Sequence, residues 1–318
     1  MISMFAIYPY RGQRGITITE LLVAVAIGTL VTLLASTVLV SASASYVAQT
    51  EAAIVDDAGR FALATIERAA RQAGFANLDR EDAAGQVDPA APPSIIGLDA
   101  ASLTSDSEAL VNPRPAVVSG SDVLALRFAG SGSAGGDGSA TTCAGFSVGA
   151  GQDGWSIFYV GKNARGESEL RCKYRGANNW SAEAVVAGVD SFQVLYGLDT
   201  DAVADGQANR FVTATDITAL DASLVIDGDS AGARSREQMR KSWWKRVASI
   251  KVALLLHGAK RSKSVGSASV VDLFGAAYST AAPADVGVRI GQADIAAPLR
   301  ERERRSFSST IMLRNVAH

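Results

Sequence analysis

The sequence predicts an α+β fold in which one long N-terminal helix packs on a head made mostly of antiparallel sheet. An uncharged apolar segment runs from Leu21 to Val40, and helical periodicity continues after it as far as Gly74. Short strand-like segments then follow, with no regular alternation of strands and helices. Strands that do not alternate with helices favour an antiparallel sheet over a parallel one.

The segment from Leu21 to Val40 has the length and composition of a membrane span. As a helix it would be about 30 Å long, which matches the hydrocarbon thickness of a bilayer. Arg11 and Arg14 precede it, and no Lys or Arg follows until Arg60. The positive-inside rule therefore places the N-terminus in the cytoplasm and the bulk of the chain on the other side of the inner membrane.

A carboxylate, Glu20, stands at the start of this apolar run. A charged side chain at the bilayer centre costs roughly 2.5 to 3.5 kcal/mol, so a plain membrane anchor would not be expected to keep one. A secretory signal peptide cleaved near Ala44 is a second alternative, but its apolar region is usually only about 7 to 15 residues long. The position of Glu20 favours a third interpretation, in which the carboxylate has a function.

The basic leader that ends in Gly15, followed by an apolar helix with Glu20 as its fifth residue, resembles the class III signal of type IV pilins and type II secretion pseudopilins. The resemblance implies that a prepilin peptidase cuts between Gly15 and Ile16. Ile16, where the family more often has Phe, would then be N-methylated. It also implies that Glu20 neutralises the N-terminal ammonium of a neighbouring subunit, since buried charges are tolerated when they are paired.

The helical pattern continues beyond the membrane span. An interruption near Ser41 to Ser45 would divide it into an anchor and a separate surface helix, but the sequence does not require one. Gly74 is expected to end the helix. The predicted segments are a leader at residues 1–15, a stem helix at 16–75 with a transmembrane half at 16–40, and a head at 76–318. The stripe predicted to face the head consists of Ile54, Ala58, Phe61, Ile66, Ala69 and Ala73.

The head begins with a stretch rich in Pro, Gly, Ser, Asp and Ala that extends to Gly120 and is predicted to be mostly loop. Short segments rich in β-branched and aromatic residues follow. Strands are predicted at 122–128, 155–161, 168–174, 190–198, 247–258 and 308–316.

The two cysteines, Cys143 and Cys172, have no CxxC spacing and no neighbouring His, so a zinc site and a redox motif are not indicated. The topology predicted from the positive charges places both in an oxidising compartment. We therefore expect a disulfide between Cys143 and Cys172, and no cofactor or metal.

Four segments of the head carry a second resemblance, to the PilW family of minor pilins. They are RQAGF at 71–75, GVDSFQVLYGLD at 188–199, WWKRVASIKVALLL at 243–256 and FSSTIMLRN at 307–315. The resemblance implies a protein that works by incorporation into a complex of minor pilins and not by catalysis. The region from Asp199 to Arg236 resembles no family that we can name.

Two motifs are typical of enzymes. GDSAG at 228–232 fits GxSxG and would make Ser230 the nucleophile of a membrane-anchored periplasmic hydrolase. Only His257 and His318 follow it, and too little chain remains for the rest of a parallel sheet. GSGSAG at 130–135 fits GxGxxG, but the residues after it have no helical period.

Acidic and basic residues are separated along the head. Asp199, Asp201 and Asp205 with Gly206, and Asp227 with Asp229, resemble fragments of calcium loops without the closing glutamate, so we expect solvated loops. The segment 234–263 holds ten Lys and Arg against one acid. A solvated helix face is the first interpretation of this segment, a protein interface the second, and nucleic acid a weaker third.

The two resemblances together imply a minor pilin of a type IV pilus that primes assembly and lies at the filament tip. A large type II secretion pseudopilin is the alternative, and the hydrolase based on Ser230 a more distant one. The expected partners are the prepilin peptidase, inner-membrane lipid, and other minor pilins and the major pilin through the N-terminal helix. A tip adhesin is a further partner that the resemblance allows. The expected location is the inner membrane, with the head in the periplasm, and then the cell-surface pilus.

Overall fold

A computed structural model describes residues 15–77, 88–261 and 270–315. The helices are α1 Ile18–Gln72, α2 Ala214–Ala222, α3 Ala231–Lys241 and α4 Ala276–Ala281, with short 3-10 helices at Trp243–Arg246 and Ala297–Leu299. The strands are β1 Ile95–Leu98, β2 Ala101–Ser102, β3 Arg114–Pro115, β4 Val123–Ala129, β5 Asp153–Lys162, β6 Ser168–Arg175, β7 Trp180–Ala187, β8 Val189–Leu198, β9 Arg210–Val212, β10 Val247–Arg261, β11 Val270–Asp272, β12 Arg289–Gly291 and β13 Arg302–Met312.

The chain divides into two compact units between Gln49 and Thr50. α1 contributes to both and continues without a break through Ser41 to Ser45, as the single-helix interpretation requires. The helix ends at Gln72, and Gly74 follows in the left-handed conformation with φ +74°. A glycine adopts this conformation without steric cost, which is why it commonly stands just after a helix end.

The second unit contains two larger antiparallel sheets, which confirms the predicted α+β class. One has five strands in the order β1-β4-β5-β6-β7, and the other has four in the order β13-β10-β8-β9. The second half of α1 contributes Val55, Ala62 and Ile66 to a core that also contains residues of both sheets, such as Phe158 on β5 and Ile250 on β10. Short strands β11 and β12 cover the other face of β10 in a smaller core.

The face of α1 that packs on the head agrees with the predicted stripe at Ile66, Ala69 and Ala73, which are buried, and at Ala58, which packs against the core. It differs from the stripe at two positions. Ile54 and Phe61 are 53% and 58% exposed, whereas Gly59 and Ala62 are buried. A Cβ added at Gly59 would lie 2.4 Å from ring atoms of Phe307 on β13. Beside Phe307 the helix therefore approaches β13 through a glycine, because a larger side chain at this position would collide with the ring.

Glu51 is a buried carboxylate on the same face of α1, at 1% exposure. Its Oε2 accepts a hydrogen bond of 3.0 Å from the backbone N–H of Lys260, and its Oε1 lies 3.7 Å from Lys260 Nζ. Buried charges are stable in proteins when they are paired and hydrogen-bonded. Glu51 thus fastens α1 to the end of β10.

Five of the predicted strands correspond to β4, β5, β6, β8 and β10, with bounds that agree or differ by up to three residues. The sixth predicted strand, 308–316, overlaps β13, which begins earlier, at Arg302, and ends at Met312. β7 was missed because its sequence, WSAEAVVA, is rich in alanine and has little β-propensity of its own. Pairing with β6 decides its conformation.

A buried ionic cluster links strands β8, β10 and β13. Asp190 Oδ2 accepts a hydrogen bond of 2.8 Å from Arg304 Nε, and Asp190 Oδ1 lies 3.0 Å from Nδ1 of His257. The side chains of Asp190, Arg304 and His257 are 5%, 7% and 0% exposed. Glu167 stands 3.8 Å from His257 Nε2 and pairs with Arg302.

Cys143 and Cys172 form the disulfide predicted from the sequence, with sequence separation 29. It joins the loop between β4 and β5 to β6. Replacing both cysteines by Ser is expected to lower the free energy of unfolding by about 3 to 4 kcal/mol, because the unfolded chain gains loop entropy. Chemical denaturation of the full chain in detergent micelles would measure the change. A difference below about 1 kcal/mol would contradict it.

Candidate functional site

Glu20 lies in the first turn of α1 and interacts with Thr17, the residue just before the helix. Its Oε2 accepts hydrogen bonds of 3.0 Å from both the backbone N–H and the hydroxyl of Thr17, and its own N–H donates to the Thr17 hydroxyl at 3.2 Å. This reciprocal pattern is a capping box. The T-x-x-E spacing of Thr17 and Glu20 indicates the capping box in the sequence itself, beside the assembly contact implied for Glu20.

Gly15 and Ile16 precede the helix in extended or irregular backbone. Ile16 is 78% exposed, and an added Cβ at Gly15 would have no atom within 4 Å. The bond between them is therefore accessible in the first unit. Arg11, Arg14 and the rest of the leader up to residue 14 lie outside the described residues.

The first unit's helix is long and apolar enough to cross a membrane, with a mean hydropathy of 2.4 in its most apolar window. Five of its hydroxyl side chains donate to a backbone carbonyl three or four residues earlier, so that the polarity of these five is satisfied within the helix. The bonded pairs are Thr29 with Ala26, Thr32 with Gly28, Ser36 with Thr32, Thr37 with Leu34, and Ser43 with Val40. The apolar side chains among them are exposed in the isolated chain.

Ser230 is the N-cap of α3. Its hydroxyl accepts a hydrogen bond of 3.1 Å from the N–H of Ala233, which is the usual role of a serine at a helix start. The residues before it form no strand, so the strand-turn-helix arrangement of a nucleophile elbow is absent from this described segment. His257 is buried against Asp190 in the ionic cluster, and His318 lies outside the described residues.

The carboxylate oxygens of Asp199, Asp201 and Asp205 lie within 4.8 Å of one another. Asp199 is buried and accepts hydrogen bonds from the N–H groups of Asp201, Asp205 and Gly206. Burial raises the pKa of Asp199, but these donors and the nearby Arg246 outweigh it, and the net pKa is lowered. Arg246 Nη2, at 3.7 Å from Asp199, supplies the positive charge at this loop.

The start of the basic segment 234–263 consists of two parts, the exposed helix α3 and the 3-10 helix Trp243–Arg246, which packs on the head. Trp244 is buried and packs edge-on against Tyr196 at 4.9 Å between ring centroids, and Arg246 lies 5.2 Å over the ring of Trp243. These tryptophans therefore serve the head's own packing. The preceding helix, α3, buries no residue.

A helix whose first half is apolar and exposed, whose second half packs on antiparallel sheet, and whose start carries a cleavable leader motif defines the class of type IV pilin-like proteins. Residues 10–36 match the prokaryotic N-terminal methylation motif. The profile described as type IV pilus-assembly protein W matches residues 157–315, half of the chain. The chain belongs to this PilW family of minor pilins.

Among solved structures, the chain is similar to a type IV-like pilin from Thermus thermophilus, at 13% identity and a TM-score of 0.39. The match covers 83% of this chain and 98% of that one. No curated protein sequence matches the chain significantly. The family and its leader motif indicate a structural protein that is anchored in a membrane, processed by a prepilin peptidase and assembled with other pilins.

Proposed function

We propose that this chain primes assembly of a type IV pilus and remains at or near the filament tip with other minor pilins. The observation that carries the proposal is the exposed apolar surface of α1 from Leu21 to Val40, which begins with the carboxylate of Glu20. Lipid covers such a surface in a single inner-membrane pass, with the head in the periplasm. Helices of other subunits replace the lipid in a filament.

In the second unit, Ile54 and Phe61 are also large apolar side chains of α1 that are exposed. They lie seven residues apart on one helix face, since two turns of an α-helix take about seven residues. Asp57 and Arg60, which form an ion pair of 3.7 Å, lie between them. Two large apolar side chains exposed on one helix face enlarge the surface that another helix can cover.

Processing gives the first test. The mature chain is expected to begin at N-methylated Ile16, because Gly15 has no side chain and an accessible backbone. N-terminal sequencing and mass spectrometry of the membrane-extracted protein would decide. A chain that starts at Met1 would favour a plain anchor, and one that starts at Ser45 a signal peptide.

Position in the filament gives the second test. An epitope tag inserted between Ala177 and Asn178, in the exposed turn between β6 and β7, should leave the fold intact, since exposed loop tips tolerate insertions. Immunogold labelling should then mark filament ends only, and deletion of the gene should reduce the number of pili. Label along the whole shaft would contradict a tip position.

The same strains separate this function from the alternative of a type II secretion pseudopilin. Deletion should remove surface pili and twitching motility while leaving protein secretion intact. A secretion defect with normal pili would favour the pseudopilin. Ser230→Ala should have no phenotype beyond a small loss of helix stability, since Ser230 is assigned a capping role and not a catalytic one.

A further inference from the structure

Helix α3 is unusual because its contacts with the rest of the head are few. None of its residues is buried, so no packed apolar face stabilises it. The cap at Ser230 and the pairing of Glu237 with Arg240 and Lys241 hold it instead. Isolated helices of this length are marginal in water, and a helix that is polar on every side depends on such side-chain pairs for its stability.

The charged residues of α3 and of the segment that follows it are mostly positive. Residues 234–246 hold six Lys and Arg against one acid, in a chain whose net charge is −2. Arg240 and Lys241 are engaged by Glu237, whose pKa these hydrogen bonds lower to about 2. Lys245 and Arg246 donate to backbone carbonyls of Pro89 and Asp201.

Two exposed arginines on α3 remain without a carboxylate partner. Arg234 donates only to the carbonyl of Gly228, at 3.1 Å, and the side chain of Arg236 makes no hydrogen bond or ion pair in the part of the chain that the structure describes. Arg236 and Arg240 are four residues apart and share one helix face, whereas Arg234 lies on a different face. Arg234 and Arg236 are both exposed, whereas Arg240 is already paired with Glu237.

We propose that α3 is a docking element that inserts into an acidic groove on a neighbouring protein, where Asp and Glu side chains pair with Arg234 and Arg236. Guanidinium groups bind carboxylates through two parallel hydrogen bonds, which makes arginine the residue best suited to such a contact. A helix held in a groove is a recurrent mode of recognition. The inference concerns a surface of the head and goes beyond the assembly role of α1.

The chemistry around α3 favours an acidic protein over nucleic acid. Asp227 and Asp229, exposed just before the helix, reduce the net positive charge of this region, and Asp227 lies 3.8 Å from Lys241 Nζ. Duplex binding commonly uses about 6 to 10 phosphate contacts, and two unpaired arginines on different faces of one short helix do not supply them.

The test uses the full processed chain in detergent micelles and a fluorescent deca-glutamate peptide as the acidic probe, with binding measured by fluorescence anisotropy at low and at physiological salt. The variant R234E/R236E should weaken binding at least tenfold. Its matched control, R165E/R175E, makes the same change in net charge at two exposed arginines elsewhere and should weaken binding less than twofold. Affinity of the wild-type chain should fall as salt rises.

Loss of the helix would not account for the expected result. Glutamate in the first half of a helix interacts favourably with the macrodipole, so R234E/R236E should retain or slightly improve α3. Circular dichroism of both variants would verify this. The neutral variant R234Q/R236Q should bind with intermediate affinity.

Three results would overturn the proposal: no measurable binding of deca-glutamate, equal loss in R234E/R236E and in the control, or tighter binding of a 20-base-pair DNA than of the peptide at physiological salt. Because binding is measured on the unassembled chain, its failure is distinguishable from a failure of pilus assembly. In cells, a photo-crosslinker at Ser235 should attach to an Asp- or Glu-rich segment of a neighbouring protein, and R234E/R236E should abolish that product. Attachment to a segment without acidic residues would also contradict the proposal.

Discussion

Glu20→Gln is expected to leave the chain processed and in the inner membrane but absent from sheared filaments. The amide of Gln can still accept the hydrogen bonds of the capping box with Thr17, so the start of α1 is preserved. What the substitution removes is the negative charge proposed to pair with the N-terminal ammonium of an adjacent subunit. Breaking a buried ion pair costs roughly 3 to 5 kcal/mol, enough to prevent incorporation.

Thr17→Ala is the matched control. It removes the hydroxyl that caps the helix and leaves the carboxylate, at an expected cost of about 0.5 to 2 kcal/mol in helix stability. Filament incorporation should survive. Immunoblots of sheared pili and of membranes would compare the two variants. Recovery of Glu20→Gln in filaments at wild-type abundance would show that Glu20 serves only as a helix cap.

Asp190→Asn is expected to lower the free energy of unfolding of the head by about 3 to 5 kcal/mol. The substitution leaves the Arg304 guanidinium, which is 7% exposed, without its carboxylate in a buried site. It also removes the charged partner of His257, on the adjacent strand β10. Chemical denaturation of the full chain in micelles, followed by intrinsic tryptophan fluorescence, would measure the loss.

Asp56→Asn provides the control for this prediction. Asp56 pairs with Arg305, the residue after Arg304 on β13, but this pair lies at the surface with side chains 27% and 43% exposed. Exposed ion pairs contribute about 0 to 1 kcal/mol. Equal effects of the two Asp→Asn substitutions would show that burial of Asp190 does not determine its contribution.

The features that the sequence determined by itself depend on local patterns. The apolar length of the N-terminal segment defines a membrane span, the Gly15 leader defines the processing motif, and alternating residues define most of the long strands. The disulfide could be predicted because only two cysteines are present. The T-x-x-E spacing of the capping box was equally local, and it could have been read from the sequence.

Only the tertiary structure decided where α1 approaches the head most closely. Hydrophobicity favoured Ile54 and Phe61, but the close approach of Phe307 requires Gly59 at the contact, and the two larger side chains remain exposed. A helical period gives the spacing of apolar residues and not the shape of the surface opposite them. The ionic cluster also depends on tertiary structure. His257 and Arg304 follow Asp190 by 67 and 114 residues along the chain, and only the pairing of three strands makes the three residues neighbours.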